Sequence, residues 1–456
     1  AVATTFSLDL LSLLMAPLSL ALFEADNKEE ALKNPVAVME ALRRTSDKVA
    51  VFCQKGRIHV PNKDTRLYNF LESIVHDVQP EGDNGVFHPK IWLMRFVSEN
   101  EPVIYRFLCL SRNITFDNSW DTVLTLEGEL EDDRTYGFAQ NHSLADFISS
   151  LPDLSVNGVS ETVQEHIDVM SKEVRKVRFN SPNNFEEEIE FIPLGIDGYN
   201  DNLNFNDFTN MLVVSPFLSK YSLQLMFEEG KNNILITRGE TLDEFDCKFI
   251  NKLKTNSEVY MLDDAAERPD NDNEDELEMT PQNDFSGLHA KLFILEKGWD
   301  AWIYTGSANA TKAAFTGENV EFLVGLKGKK SRVGIDPLLG AEEENTSLRN
   351  MLKVYQRPEN TENIDSQLVR LENHLERAQR KLTNINFKVL IEEEKNDELF
   401  SLNIIPEQKL DFQELEVEGY CYPITLLNEN ITRDISPFYK GNTVTFTNVS
   451  ISGLTG

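Results

Sequence analysis

Apolar residues along this chain come in short bursts separated by polar turns and charged stretches, the rhythm of strands alternating with helices. Lys48-Val49-Ala50-Val51-Phe52-Cys53, Asn210-Met211-Leu212-Val213-Val214-Ser215-Pro216-Phe217 and Asn233-Ile234-Leu235-Ile236-Thr237-Arg238 each read as a buried strand. Two more apolar runs, Ile91-Trp92-Leu93-Met94 and Leu292-Phe293-Ile294-Leu295, have the same character. Strands alternating with helical stretches predict an α/β sandwich. The pattern then changes. Between residues 341 and 385, Leu348, Leu352, Leu368, Leu371, Leu375 and Leu382 fall at helical spacings, which predicts two helices broken near Pro358. Beyond them Phe387-Lys388-Val389-Leu390-Ile391 and Thr443-Val444-Thr445-Phe446-Thr447 predict short strands of a separate β domain. The expected organisation is a first lobe over residues 1–195, a second over 196–335, a helical segment over 336–385 and a β-rich accessory domain over 386–456.

Two of these strands carry the same polar signature. His88-Pro89-Lys90 opens the first apolar run and is followed by Ser111-Arg112-Asn113-Ile114-Thr115; His289-Ala290-Lys291 opens the second and is followed by Ser307-Ala308-Asn309-Ala310-Thr311. Residues two apart on a strand share a face, so each imidazole points with its ammonium. Ser, Asn and Thr where the next strand ends can offer donors to a bound anion. A lone His beside a Lys is more often a surface or core residue, but two copies in order, in a chain of seven histidines, are hard to attribute to chance. His59, His76, His142, His166 and His374 lack this context and are assigned no role.

The repeated set suits attack on a phosphodiester with no metal or cofactor. A neutral imidazole is a competent nucleophile, and a protonated one can deliver a proton to the leaving oxygen. Lys90, Lys291, Asn113 and Asn309 would surround the equatorial oxygens, with Ser111, Ser307 and Arg112 as further phosphate donors. Water activated by the histidine that has just lost its proton would release the covalent phosphohistidine.

These residues resemble the phospholipase D superfamily, whose repeated signature is His-x-Lys followed downstream by Gly-Ser-x-Asn. The second copy matches best, through His289-Ala290-Lys291, Thr305-Gly306-Ser307-Ala308-Asn309 and Asn319-Val320-Glu321-Phe322. In the first copy Leu110 stands in place of the glycine. The aspartate found in many members five residues after the lysine is Glu296 in the second copy and Arg95 in the first. The tyrosyl-DNA phosphodiesterase-like branch works without that aspartate. The resemblance implies two pseudo-symmetric α/β sandwich lobes that bring both motifs to a shared interface within one polypeptide. It implies His88 as nucleophile and His289 as general acid, with the reverse assignment open. It also implies an acid beyond each asparagine that orients a catalytic histidine. Glu321 fits that position; Asp121 is the candidate in the first half, with a solvated turn residue as the alternative.

Composition constrains the setting. The formal charge of −32 is unusual for a chain that binds nucleic acid, so any basic character must be local to a cleft, supplied by Lys90, Lys291, Arg112 and Lys312. Much of the acidity lies between Asp263 and Asp284, read either as a solvated insertion or as a lid that occupies the cleft. Cys53, Cys109, Cys247 and Cys421 form no metal-type pair and suit reduced thiols in the cytoplasm. The apolar run from Phe6 to Phe23 contains Asp9 and Pro17 and lacks a basic region before it, which opposes a signal or anchor and favours a buried segment of the first lobe. No Walker-type loop is present. The chain begins without methionine and ends without an evident terminus, as a piece of something longer would.

The expected function is a metal-independent nuclease acting on nucleic acid, DNA ahead of RNA, with phage defence or restriction as a setting by analogy. The β-rich domain is a candidate surface for a protein partner, and no membrane association is expected. Two alternatives stand beside it: a phospholipase D-type hydrolase or transferase of lipid or other phosphodiesters, and a noncatalytic nucleic-acid-binding subunit.

Overall fold

The computed structural model describes residues 1–21, 39–40, 43–44, 46–59, 66–80, 82, 85–199, 203, 205, 207–227, 232–263, 286–341, 347–357, 366–394, 399–411, 418–423 and 431–455. It divides into two compact units. One comprises Ala1–Leu8, Ala16–Gln54 and Ser73–Arg357; the other comprises Asp9–Met15, Lys55–Glu72 and Pro358–Gly456.

The first unit is mixed α/β and is built on two large sheets. One runs, in spatial order, Val177–Phe179, Val123–Leu130, Ile104–Leu110, Ile91–Phe96, Val2–Thr5, Ala50–Gln54, Val75–Val78. The other runs Phe185–Leu194, Glu321–Lys329, Asp300–Gly306, Leu292–Lys297, Asn210–Val214, Asn232–Ile236, Ser257–Leu262, Leu352–Val354. From the first strand to the seventh, the two sheets share one sequence of antiparallel and parallel pairings. Val2–Thr5 runs parallel to Ala50–Gln54 and antiparallel to Ile91–Phe96, and Asn210–Val214 stands in the same relation to Asn232–Ile236 and Leu292–Lys297. Each histidine motif therefore feeds the fourth strand of its sheet. The central strands are buried along nearly their whole length, as the continuous apolar runs require.

An aromatic core joins residues of both sheets. Phe322 lies 4.9 Å from Phe147 and 5.8 Å from Phe107, centroid to centroid, and Phe107 meets Phe191 at 5.3 Å. The helix Glu161–Val174 begins at Ser160, whose hydroxyl accepts from the Val163 N–H. It buries Val163, Ile167, Met170 and Val174 in the same cluster. Removing that much apolar surface from water is what lets the first unit hold polar groups at its centre.

Three expected boundaries shift. Residues 185–194 are expected in the first lobe, but Phe185–Leu194 pairs antiparallel with Glu321–Lys329 in the second sheet, with a register shift between Phe185 and Ile189. The break between the sheets thus falls after Phe179 rather than at residue 195. Residues 348–354, expected as helix, form a short 3-10 turn and the strand Leu352–Val354, which extends the second sheet beside Ser257–Leu262. Leu348 and Leu352 pack on the cluster around Ile294 and Ile335, so their spacing of four serves a turn and a strand instead. In the N-terminal run the helix Leu10–Ala21 forms, but Asp9–Met15, with Leu13 and Leu14 buried, groups with the second unit. No described helix is long and apolar enough to cross a membrane.

The second unit contains the helix Ser366–Thr383 and a three-stranded antiparallel sheet in the order Phe387–Glu393, Leu399–Pro406, Val444–Ser450. Ala378, Leu410, Phe438 and Phe446 are buried together there. The helix thus belongs with the β-rich part rather than to a separate helical segment. The expected break at Pro358 and the acidic stretch from 264 to 284 lie outside the described residues.

Candidate active site

The two halves exchange backbone hydrogen bonds at two places. The His88 N–H donates to Val320 O at 2.9 Å, and the Val320 N–H donates to Val86 O at 3.0 Å, so residues 86–88 pair with the segment leading to Glu321. In the other half the His289 N–H donates to Trp120 O at 2.9 Å, and Ser286–Leu288 runs parallel to Asn118–Trp120, the segment leading to Asp121. Each histidine is consequently stitched to the approach of the other half's acid. His88 Nδ1 lies 2.9 Å from Glu321 Oε2, and His289 Nδ1 lies 2.9 Å from Asp121 Oδ1. Asp121 is no solvated turn residue: its side chain is 7% exposed and holds a histidine.

Ser111 and Ser307 take a different position from the phosphate-binding one expected of them. Both are fully buried. The Ser111 hydroxyl donates to Asp121 Oδ1 at 2.6 Å and accepts from the Thr122 N–H at 2.8 Å. The Ser307 hydroxyl donates to Glu321 Oε2 and accepts from the Phe322 N–H at 2.9 Å. With donor and acceptor both engaged, neither hydroxyl is placed to coordinate an anion; each fixes the carboxylate that fixes a histidine. Asn319 adds to the second acid, its amide lying 3.4 Å from Glu321 Oε1 while its oxygen accepts from the Val86 N–H at 3.2 Å.

Each lysine feels the charge of both acids. Lys90 is 1% exposed and donates to His88 O at 2.8 Å; Lys291 is fully buried and donates to His289 O at 2.6 Å. Burial pushes Lys90 down to about 7 against the pull of Glu321 and Asp121. Burial also pushes Lys291 well below the usual lysine range, and the Lys90 charge adds to the effect. Both histidines are lowered to about 4, chiefly by burial, although Glu321 and Asp121 favour their charged forms. Burial acts to raise the two carboxyls, but hydrogen bonds and charge from the histidines and neighbouring groups outweigh it and hold Asp121 and Glu321 below their ordinary values. The resting pair is therefore a neutral imidazole donating Nδ1–H to a carboxylate, which leaves the lone pair on Nε2.

Asn113 and Asn309 both have a buried Oδ1 with no hydrogen-bond partner, a cost the fold bears twice at matched positions. Arg112 does not join a phosphate cradle as expected. Its guanidinium donates to Thr115 O at 3.1 Å and Asp117 O at 3.0 Å and pairs with the Asp117 carboxylate, which closes the loop around it. The two divergent positions lie outside the site. Arg95 forms a two-pronged pair with Glu173, and Glu296 accepts from the Ile335 N–H and the Asn210 amide. At about 3.3 Å per residue, five steps along a strand carry them roughly 16 Å from the lysines.

Further residues support the site, some of them outside the motifs, and the motif residues Thr305 and Gly306 take structural roles of their own. The Phe6 ring meets His88 edge-on at 5.3 Å. Thr4 and Thr5 accept from the Ile91 and Ile114 N–H groups, so the first strand holds both parts of the first motif. The Thr305 hydroxyl donates to Thr122 Oγ1 at 2.8 Å, a link between the halves beneath the acids. Gly306, with φ +150°, brings the sheets together: a Cβ there would lie 2.2 Å from Phe322 O and 3.0 Å from Cys109 Sγ. Arg238 donates to Leu288 O at 2.7 Å, beside His289, and lies over the Phe217 ring. Single hydroxyls and rings of this kind have no periodic signal in a sequence.

No family model matches this chain, and no curated protein does either. Among solved structures, that of a mutant yeast tyrosyl-DNA phosphodiesterase is similar at a TM-score of 0.40, with 11% identity over 74% of this chain and 83% of that one. Site geometry, rather than this likeness, bears on function.

Proposed function

We propose that this chain is a phosphodiesterase that cleaves nucleic acid through a covalent phosphohistidine, without a metal. The observation that carries this reading is the reciprocal pairing of His88 with Glu321 and His289 with Asp121 around Lys90 and Lys291. His88, neutral and oriented by Glu321, attacks phosphorus through Nε2. The bond to the leaving oxygen breaks as His289, protonated in the complex, transfers its Nε2 proton to that oxygen. His289 is then neutral and takes a proton from water; the hydroxide displaces the His88 nitrogen, which leaves with its bonding pair, and both imidazoles return to their starting forms. The two lysines neutralise charge on the equatorial oxygens, and the anion in turn restores their protonation.

A noncatalytic binding subunit is the weaker reading. Its support was the divergence at Arg95 and Leu110, yet Arg95 pairs with Glu173, and Ser111 after Leu110 makes the same bonds as Ser307 after Gly306. Nucleic acid is preferred as substrate because Arg238 with the half-exposed Phe217 adds a cation and a ring beside His289. The deciding experiment is cleavage of end-labelled single- and double-stranded DNA in excess EDTA by wild type, His88→Ala and His289→Ala. The proposal expects EDTA-resistant cleavage lost in both variants. Binding without turnover by wild type, or cleavage abolished by EDTA, would overturn it.

A further inference from the structure

The strand Phe387–Glu393 is the edge of the three-stranded sheet, and among the described residues no other strand pairs with its outer side. Edge strands are normally blunted by proline, a bulge or dense charge. This one has no proline and pairs with Leu399–Pro406 in unbroken register; its charges, Lys388, Glu392 and Glu393, flank the uninterrupted apolar run Val389-Leu390-Ile391. Its apolar residues are open: Val389 is 52% exposed, Leu390 38% and Ile391 55%.

The direction of its free backbone groups follows from the ladder. The Glu407 N–H donates to Asn386 O, and the Glu394 N–H donates to Leu399 O, so the even-numbered residues bond inward. In an antiparallel ladder bonding alternates, so Phe387, Val389, Ile391 and Glu393 turn their N–H and C=O groups to the open edge. An incoming strand must place its own outward-bonding residues opposite these.

A second copy of this same strand does so. In an antiparallel arrangement centred on Leu390, Val389 faces Ile391 of the second copy twice, with both backbone bonds made each time. The intervening pairs are Leu390 with Leu390 and, twice, Lys388 with Glu392. These are the non-hydrogen-bonded pairs, in which side chains lie closest. Shifting the register by one step in one direction sets Lys388 against Leu390; in the other it sets Val389 against Glu393. The centred register alone keeps Val389, Leu390 and Ile391 against one another and sets Lys388 against Glu392 on both sides of them; its outermost pairs are Phe387 with Glu393. Glu392 already accepts from the Asn403 amide at 3.3 Å, which holds its carboxylate on the Lys388 face.

We propose that this edge joins two copies of the chain into a two-fold symmetric dimer with a continuous six-stranded sheet. The surface is independent of the catalytic reading, so either can fail alone. The experiment is sedimentation of the full chain over a range of micromolar concentrations, with Lys388→Glu, Glu392→Lys and the double swap. Wild type should self-associate. Each single variant places like charges opposite twice and should weaken association roughly tenfold. The double swap should restore it, and an equimolar mixture of the two single variants should form a heterodimer. Restoration by the swap excludes misfolding as the cause of the single-variant loss. A monomeric wild type, unchanged association in Lys388→Glu, or a swap that fails to rescue would each overturn the proposal.

Discussion

His88 Nδ1 and Glu321 Oε2 lie 2.9 Å apart although 233 residues separate them, and the reciprocal pair, His289 and Asp121, closes the site from the other side. Each half thus lends the other its acid. Neither motif can be tuned without the opposite sheet in place, and the ring contacts of Phe322 with Phe107 and Phe147 help hold the two sheets together. Glu321→Gln and Asp121→Asn should each lower kcat by on the order of 10²–10⁴ by losing the tautomer and the stabilisation of imidazolium. A pH–rate profile separates this from loss of fold, because a misfolded fraction lowers the plateau without moving the limbs. Unmoved limbs in both variants would refute the orienting role.

The order of attack can be read by trapping. With a p-nitrophenyl phosphodiester the leaving group needs no proton, so His289→Ala should still form the covalent intermediate and stall at hydrolysis. The expected result is a stoichiometric burst of nitrophenolate and an acid-labile phosphoprotein. His88→Ala should show neither. The opposite pattern would exchange the two roles, and no adduct in either variant would remove the phosphohistidine from the mechanism.

The histidines, lysines and acids were legible in the chain because they repeat at fixed offsets beside apolar runs. Their pairing across halves was not, since Ser111, Thr122, Ser307 and Asn319 act through single hydrogen bonds that leave no periodic trace. The sheet that receives Phe185–Leu194 is hidden in the sequence for a related reason. The segment's alternation marks a half-buried strand but not which sheet receives it, and that is decided by the ladder to Glu321–Lys329. Arg112 misled because a cation beside a phosphate motif is legible while the carbonyls of Thr115 and Asp117 that bind it are not.

Ser111→Ala and Ser307→Ala test whether these hydroxyls position acids or touch phosphate. Each deletion leaves a buried N–H and a carboxylate short of a partner, at a cost of roughly 1–3 kcal/mol in stability. Because the acid rather than the substrate loses its support, kcat should fall while KM stays nearly constant. A raised KM at unchanged kcat would return the serines to the phosphate-binding role.

The depressed histidines set the pH behaviour. In the free protein burial pushes both imidazoles down to about 4, yet the proposed reaction needs one neutral and one protonated. Since kcat/KM reports the free protein, it should decline as pH rises above that range. A bound phosphodiester places negative charge beside both rings and raises their pKa, so the descending limb of kcat should lie at higher pH. Lys90, lowered to about 7, shifts the same way on binding an anion. Stability offers a check free of activity. Between the ordinary histidine value of 6.5 and about 4 the unfolded chain binds protons that the native one does not, so native stability is lost as pH falls through that window. Denaturant titrations from pH 7 to pH 4 should show a shallower loss in His88→Gln and His289→Gln than in wild type. Equal slopes, or descending limbs of kcat and kcat/KM that coincide, would mean that the two imidazoles are not held neutral at rest.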